Sequence, residues 1–341
     1  MGGTEYHLRS FLQTIENFDK ENSYILFCNQ ENASSFHLKS KKWEIVICPI
    51  RAENRIIRIL YEQLLFPFLV QNKGCEILHS YGYISPLWGK FKKVVTVHDA
   101  NWKDHPEDTG DLQNKVMELF VSQSIRRSDK VITDSPFSLS RLQNVFPKES
   151  QKIETIVPGV DDHFLQLLHA SPKKTIVLGR YILCVSAFYS HKKIEYLLQL
   201  WSRLKEKGFT YRLVLVGHNG AEEQQIANQI KTMKDVEWLP KMKLVELVSL
   251  YTHAAAFVFP SVYEGFGYPV YEALAAKIPV LVGKKELYLK NVQQYLDELS
   301  FDLEKDTQAV EKIVKKTQKK NIALPEYKDD ISKLIRLYRS L

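Results

Sequence analysis

Phe257-Val258-Phe259-Pro260-Ser261-Val262-Tyr263-Glu264-Gly265-Phe266-Gly267-Tyr268-Pro269-Val270-Tyr271-Glu272-Ala273-Leu274-Ala275-Ala276 is the stretch that decides the fold. An apolar run of strand length comes first, a turn with two glycines follows, and then Pro269 opens a segment of strong helix formers. Strand, tight turn and helix in direct succession are the unit of parallel sheets covered by helices. Gly265 and Gly267 let the turn's backbone approach a ligand, and the N–H groups of the turn and of the helix N-terminus suit a pyrophosphate. Glu264 and Glu272 flank that anion site. A carboxylate accepts from two hydroxyls at once, so Glu264 before the turn suits a sugar and Glu272, one turn into the helix, suits a ribose. An ordinary strand-turn-helix with one exposed and one capping glutamate accounts for the same residues, and chemistry alone leaves both readings open.

Outward from this unit the alternation continues. Short apolar, β-branched runs predict strands at Tyr24 to Cys28, Trp43 to Cys48, Glu76 to His79, Lys93 to His98, Lys130 to Thr133 and Ile153 to Val157. A second set is predicted at Tyr181 to Val185, Arg212 to Val216, Val236 to Leu239, Ala256 to Phe259 and Pro279 to Val282. Ile194, Leu197, Leu198, Trp201 and Leu204 share one helical face, with Gly208 placed as a C-cap glycine. Ile331, Leu334, Ile335 and Tyr338 repeat that spacing in the tail, which is expected to dock on the body. The pattern predicts an α/β chain of two sets of helices packed on parallel sheets, at residues 1–165 and 176–325, with a C-terminal helix at 326–341. Asp161 to Arg180, carrying Ser171-Pro172-Lys173-Lys174, is expected to be the linker. The apolar stretch Leu60 to Val70, with Pro67 inside it, reads as a buried helix, the alternative being a face that touches a membrane.

The totals exclude several classes. A chain of 341 residues, 45% hydrophobic and 26% charged, is long enough for two cores and composed as a folded protein. No run approaches the roughly 18 apolar residues of a spanning helix. Met1-Gly2-Gly3-Thr4-Glu5 has no signal-peptide character, so a cytoplasmic location is expected, with any membrane contact peripheral to the inner face. Cys28, Cys48, Cys75 and Cys184 are widely separated and read as reduced core residues. The net charge of +7 is scattered among acidic residues without aromatic-basic interleaving, which argues against a nucleic-acid partner. No Asp-x-Asp pair stands in a loop setting, so no metal is expected. No feature sets an oligomeric state.

The segment Glu264 to Glu272 resembles the E-x7-E signature of the family-4 retaining glycosyltransferases. Further stretches resemble that family in the same order along the chain. They are Gly2-Gly3-Thr4-Glu5, Val95-Thr96-Val97-His98-Asp99, Ser128-Asp129-Lys130-Val131-Ile132-Thr133-Asp134-Ser135, Pro158-Gly159-Val160-Asp161, Phe188-Tyr189-Ser190-His191-Lys192-Lys193 and Leu213-Val214-Leu215-Val216-Gly217. The resemblance implies a GT-B fold, two Rossmann-like domains facing across a cleft that holds the active site. It implies transfer of a sugar from a nucleotide diphosphate donor to a saccharide or lipid-linked acceptor, with retention of configuration. The nucleotide sugar is then a substrate, and no cofactor is expected. The donor site would comprise Gly2, Gly3, His191, Lys192, Glu264, Gly265, Phe266, Gly267, Tyr268 and Glu272. His98, Lys192 and Glu264 would be the catalytic residues, His98 beside the transferred sugar and Lys192 on the diphosphate. No enzymic nucleophile is implied, because the departing phosphate itself helps deprotonate the acceptor.

Three departures qualify the resemblance. Many members place an arginine and a glycine shortly before the lysine, where this chain has Ser186 and Ala187; His191 beside Lys192 could help, but a neutral histidine replaces a permanent cation poorly. Members carry a β-strand ahead of the Gly-Gly loop, whereas this sequence opens on the loop. A first strand absent relative to the family, another segment or chain in its place, and a rearranged first domain are all compatible with that opening. After Val282 the sequence runs Gly283-Lys284-Lys285-Glu286-Leu287-Tyr288 in place of a small-residue loop. The first two departures also motivate a different class, a non-catalytic subunit that binds a nucleotide sugar and needs a partner chain. Tyr81-Gly82-Tyr83 and Asn101-Trp102 supply aromatics suited to stacking on an acceptor sugar, or to packing.

Overall fold

The computed structural model describes residues 3–33, 36, 38, 40–51, 55–108, 110–170, 176–316 and 322–341. The chain divides into two compact units. The first comprises residues 1–100, 115–159 and 326–341, and the second comprises residues 101–114 and 160–325. Each is a parallel sheet clothed by helices.

In the first unit, helix α1 (Gly3–Phe18) leads through a short turn into β1 (Tyr24–Cys28). Asp19 fastens that turn, accepting from the N–H groups of Glu21 and Asn22 and from the Tyr24 hydroxyl. β2 (Trp43–Ile47) pairs with β1 in parallel. Two short helices follow, α2 (Arg55–Leu64) and α3 (Phe66–Asn72). Then come β3 (Ile77–Tyr81), β4 (Lys92–Thr96), β5 (Lys130–Thr133) and β6 (Ile153–Thr155), paired in that order and all in parallel. The strands therefore form a two-stranded sheet, β1-β2, and a four-stranded sheet, β3-β4-β5-β6. Among the described residues no strand joins the two.

The core of this unit places Phe11, Leu12 and Ile15 of α1 with Val94, Ile132 and Ile156, and with Ile331, Leu334 and Leu337 of the C-terminal helix Tyr327–Arg339. That helix is thus built into the first unit. Gly159 shows how close the fit is, since a Cβ there would stand 2.4 Å from the Tyr327 amide nitrogen.

The second unit holds β7 (Tyr181–Val185), β8 (Arg212–Val216), β9 (Val236–Leu239), β10 (Ala256–Phe259), β11 (Val280–Val282) and β12 (Leu296–Glu298). Their order is β12-β11-β10-β7-β8-β9, every pair parallel. The helix Ile194–Glu206 buries Ile194, Leu197, Leu198, Trp201 and Leu204 against β7 and β8, and Gly208 follows its end at φ 82°. Parallel sheets covered on both faces read as continuous apolar runs, which is why β7, β10 and β11 were legible.

Two expectations are corrected. The stretch expected as a linker begins with a helix: Asp161 caps Asp162–His169 by accepting from the Phe164 N–H at 2.7 Å, and Phe164 is fully buried against Tyr251. Ser171 to Lys174 lie outside the described residues. The stretch Leu60 to Val70 is not one buried helix but the end of α2 followed by α3, broken ahead of Pro67, and Leu60, Leu64, Leu65 and Phe68 are exposed.

Truncating Leu334, which has no exposed surface, tests whether the tail completes the first core. Leu334→Ala is expected to cost about 3 kcal/mol in urea unfolding of that unit, by loss of burial and creation of a cavity.

Candidate functional site

In the second unit the strand order reverses between β7 and β10, which lie side by side while the strands following each run outward in opposite directions. At such a point the two successive loops leave in opposite directions and open a crevice beyond the carboxyl ends of the strands. The loop after β7 carries Ser190-His191-Lys192, and the turn after β10 carries Glu264 to Tyr268. Topology thus brings together two segments separated by 72 residues.

Lys192 ends a 3-10 turn, Ser190–Lys192, and Lys193 follows in the left-handed region at φ 52° before the helix begins. The Lys192 Nζ donates to Glu264 Oε1 at 2.7 Å, and both side chains are largely buried. Its ammonium also lies 5.8 Å from the centre of the Phe259 ring. Gly267, at φ 83°, is the N-cap of the helix Tyr268–Ala275, with Pro269 in its first turn. A Cβ at Gly267 would come 2.8 Å from the Tyr288 ring, so glycine is required there both for backbone conformation and for space. Phe266 stacks on Tyr271 with ring centres 4.1 Å apart, fixing the turn from below.

Glu272 is buried one turn into the same helix and accepts from the Tyr251 hydroxyl at 2.8 Å. Burial pushes its carboxyl up to about 7, against the opposing effect of the Tyr251 hydrogen bond and with a smaller upward push from Asp161. Glu272 is therefore poised between its neutral and charged forms near neutral pH.

His191 does not supply the second positive charge. Burial and the neighbouring Lys192 push it down to about 4, so its imidazole is neutral at pH 7. Its role in the structure is different: Nδ1 meets Asp108 Oδ2 at 2.5 Å, while Asp108 Oδ1 accepts from the Ser190 N–H at 3.2 Å and the Ser190 hydroxyl at 3.0 Å. Asp108 thereby ties down the turn that presents Lys192. Sequence reasoning missed it, because it lies 82 residues from its partner in a short polar segment with no periodicity. Tyr288 was missed likewise, in the stretch where the family pattern fails. It is buried, and that burial, with a further push from Glu264, holds its hydroxyl well above the usual tyrosine range.

Of the remaining predicted residues, Gly2 lies outside the described residues and Gly3 is the first residue of α1. His98 belongs to the first unit, just after β4. Its Nδ1 meets Asp134 Oδ2 at 2.7 Å, and Tyr81 and Tyr83 approach its ring edge-on at 5.7 and 5.4 Å. Burial alone would lower its pKa, but the charge and hydrogen bond of Asp134 override burial and hold it above the ordinary histidine value. Trp102 is buried, so it packs instead of presenting a stacking face. Among the described residues, no cluster of His, Cys, Asp or Glu is arranged to hold a metal ion.

This geometry can be set beside known proteins. A profile for Glycosyltransferase Family 4 matches residues 1–164, and one for Glycosyl transferases group 1 matches residues 172–333. Together they run over nearly the whole chain. The chain belongs to the family-4 glycosyltransferases. Curated relatives include O-antigen chain mannosyltransferase B of Escherichia coli, 27% identical over 199 residues, covering 56% of this chain and 52% of the relative. O-antigen chain mannosyltransferase RfbU of Salmonella typhimurium is 28% identical over 197 residues, with coverages of 56% and 51%. The chain spans about half the length of these curated relatives. Among solved structures, sucrose-phosphate synthase from Thermosynechococcus elongatus superposes with TM-score 0.75 at 18% identity, covering 99% of this chain and 93% of that one. WaaG, a glycosyltransferase involved in lipopolysaccharide biosynthesis, gives 0.65 at 12% identity, with coverages of 93% and 88%. These neighbours share the GT-B fold of two Rossmann-like domains.

The Glu272 carboxyl gives this family member a pH signature. Its folded value of about 7 stands above the ordinary glutamate value of 4.5, so between those limits the folded state holds a proton that the unfolded chain has lost. Its contribution is fully present below pH 4.5 and is lost as pH rises through about 7. The ligand-free protein is expected to lose about 3 kcal/mol over that window from this group. Glu272→Gln should flatten that part of the profile, as read by calorimetric midpoints at half-unit pH steps.

Proposed function

We propose that this family-4 glycosyltransferase moves a sugar from a nucleotide diphosphate donor to a saccharide or lipid-linked acceptor, with retention of anomeric configuration and without a metal. The observation that carries this reading is the buried Lys192–Glu264 pair beside the Gly267-capped helix N-terminus. A lysine held at 15% side-chain exposure beside backbone N–H donors suits the charge that gathers on a departing diphosphate. When phosphate oxygens take Lys192, Glu264 is released to accept from sugar hydroxyls, so one pair serves both ends of the scissile bond. Glu272 then accepts from the ribose. Two curated relatives are named as mannosyltransferases, which makes a mannosyl nucleotide the first donor to try.

Release of nucleoside diphosphate from a panel of UDP- and GDP-sugars tests the reading, with the anomeric configuration of product read by NMR. Lys192→Ala is expected to lower the transfer rate about 100-fold to 1000-fold, as loss of a preorganised electrostatic group does. Glu272→Ala should chiefly weaken nucleotide binding. Donor binding in calorimetry with no turnover on any acceptor tried would favour the non-catalytic subunit instead.

For the acceptor, the corrected face of α2 and α3 favours a lipid-linked one. Ile56, Leu60 and Leu64 of α2 and Phe68 of α3 are exposed, and Trp88 joins them by packing edge-on to Phe68 at 4.7 Å. An apolar helix face with a half-wet tryptophan suits the interfacial zone of a bilayer. Among the described residues no helix is long and apolar enough to cross one. The double variant Leu60→Asp, Phe68→Asp should lose co-sedimentation with anionic vesicles while keeping donor affinity. Equal vesicle binding by both proteins would refute the lipid-facing assignment.

A further inference from the structure

Tyr288 carries a hydrogen-bonding group that the ligand-free protein does not use. The residue is 4% exposed, and among the described residues its hydroxyl has no hydrogen-bond partner. A buried donor left unmade costs stability, so such a group in a packed core points to a partner that arrives in another state of the protein.

The rest of the residue is held on several sides. Its N–H donates to the Lys285 carbonyl at 3.1 Å, and its own carbonyl accepts from the Gln293 side chain at 2.8 Å. Tyr271 meets its ring edge-on at 6.2 Å and in turn accepts from the Leu289 N–H at 3.1 Å. The direction of the phenol is therefore fixed.

Gly267 shows where it is aimed. A Cβ on that glycine would stand 2.8 Å from Tyr288 Cε1 and 3.5 Å from Glu264 Cγ, so the two side chains converge on one point at the helix N-cap. The ring carbon bonded to Cε1 carries the hydroxyl, and the carbon bonded to Cγ is the carboxyl carbon. Glu264 is buried too, and accepts from Lys192 at 2.7 Å. Burial first, and then the Glu264 charge, hold the phenol well above its usual range, so it keeps its proton and remains a donor at neutral pH. Glu264 thus stands between two donors, one engaged and one in reserve.

On the nucleotide-sugar reading proposed above, on which this inference rests, the diphosphate draws Lys192 away. A buried carboxylate stripped of its partner is among the costliest states a side chain can be left in. We infer that Tyr288 is a positioning residue that takes over Glu264 when the diphosphate takes Lys192, its hydroxyl donating to one carboxylate oxygen and leaving the other turned to the hydroxyls of the transferred sugar. A carboxylate has lone pairs enough for both. The bond unmade in the free protein is made in the donor complex, so Tyr288 favours the loaded state.

Tyr288→Phe keeps the ring against Gly267 and Tyr271 and removes the hydroxyl alone. In the free protein its melting temperature is expected to stay level or rise, because no bond is lost. Its affinity for UDP or GDP, whichever binds the parent, should fall about tenfold in calorimetry. On a Glu264→Leu background, where no carboxylate needs a partner, the same substitution should change affinity by less than about twofold. A tenfold loss that persists there would assign the hydroxyl to the nucleotide itself and overturn the inference. Lys192→Met removes the same partner without any ligand. On that background Tyr288→Phe should lower the melting temperature by about 4 °C in mildly alkaline buffer, where the carboxylate is ionised. Equal midpoints for Lys192→Met with and without the hydroxyl overturn the inference, whatever the protein binds. Absence of nucleotide binding by the parent, with the Lys192→Met comparison as expected, would instead overturn the donor reading and keep the exchange of Glu264 between Lys192 and Tyr288.

Discussion

All strands of the second unit run in one direction, and that single constraint places its chemistry. Parallel strands deliver every β-to-α loop to the same edge, and the reversal of order between β7 and β10 parts two of those loops instead of packing them together. Lys192 and Glu264 are the side chains that bridge the parting. Neither charge is tolerable alone at such depth, and each is the other's partner only because the sheet has this order. The site is therefore a property of topology first and of residue chemistry second.

The sequence was most legible where burial is two-sided. Tyr181–Val185 and Ala256–Phe259, the two central strands, form over the residues their apolar runs outlined, because strands covered on both faces carry no polar positions to blur their ends. β12 escaped notice for the converse reason: Leu296-Asp297-Glu298 is an edge strand whose outer positions are charged. The helix Asp162–His169 was obscured by the Ser-Pro-Lys-Lys stretch after it, although Asp161 is an ordinary capping residue. Leu60 to Val70 misled in the other direction, since apolar content alone does not say which face of a helix meets solvent.

For the site, local motifs located Glu264, Gly267 and Glu272, whose neighbours lie within one turn and helix. They could not disclose Asp108 or Tyr288, whose positions come from elements far away in the chain. The neutral character of His191 is set by desolvation and by the adjacent Lys192.

The C-terminal helix has a consequence for how the protein is made. Ile331, Leu334 and Leu337 complete a core whose other members include Phe11 and Ile15, so the first unit to be translated is the last able to close. During synthesis the second unit is complete once residue 325 has emerged, before the helix Tyr327–Arg339 that the first core still lacks. During that interval the nascent first unit exposes the apolar surface that its final helix will cover.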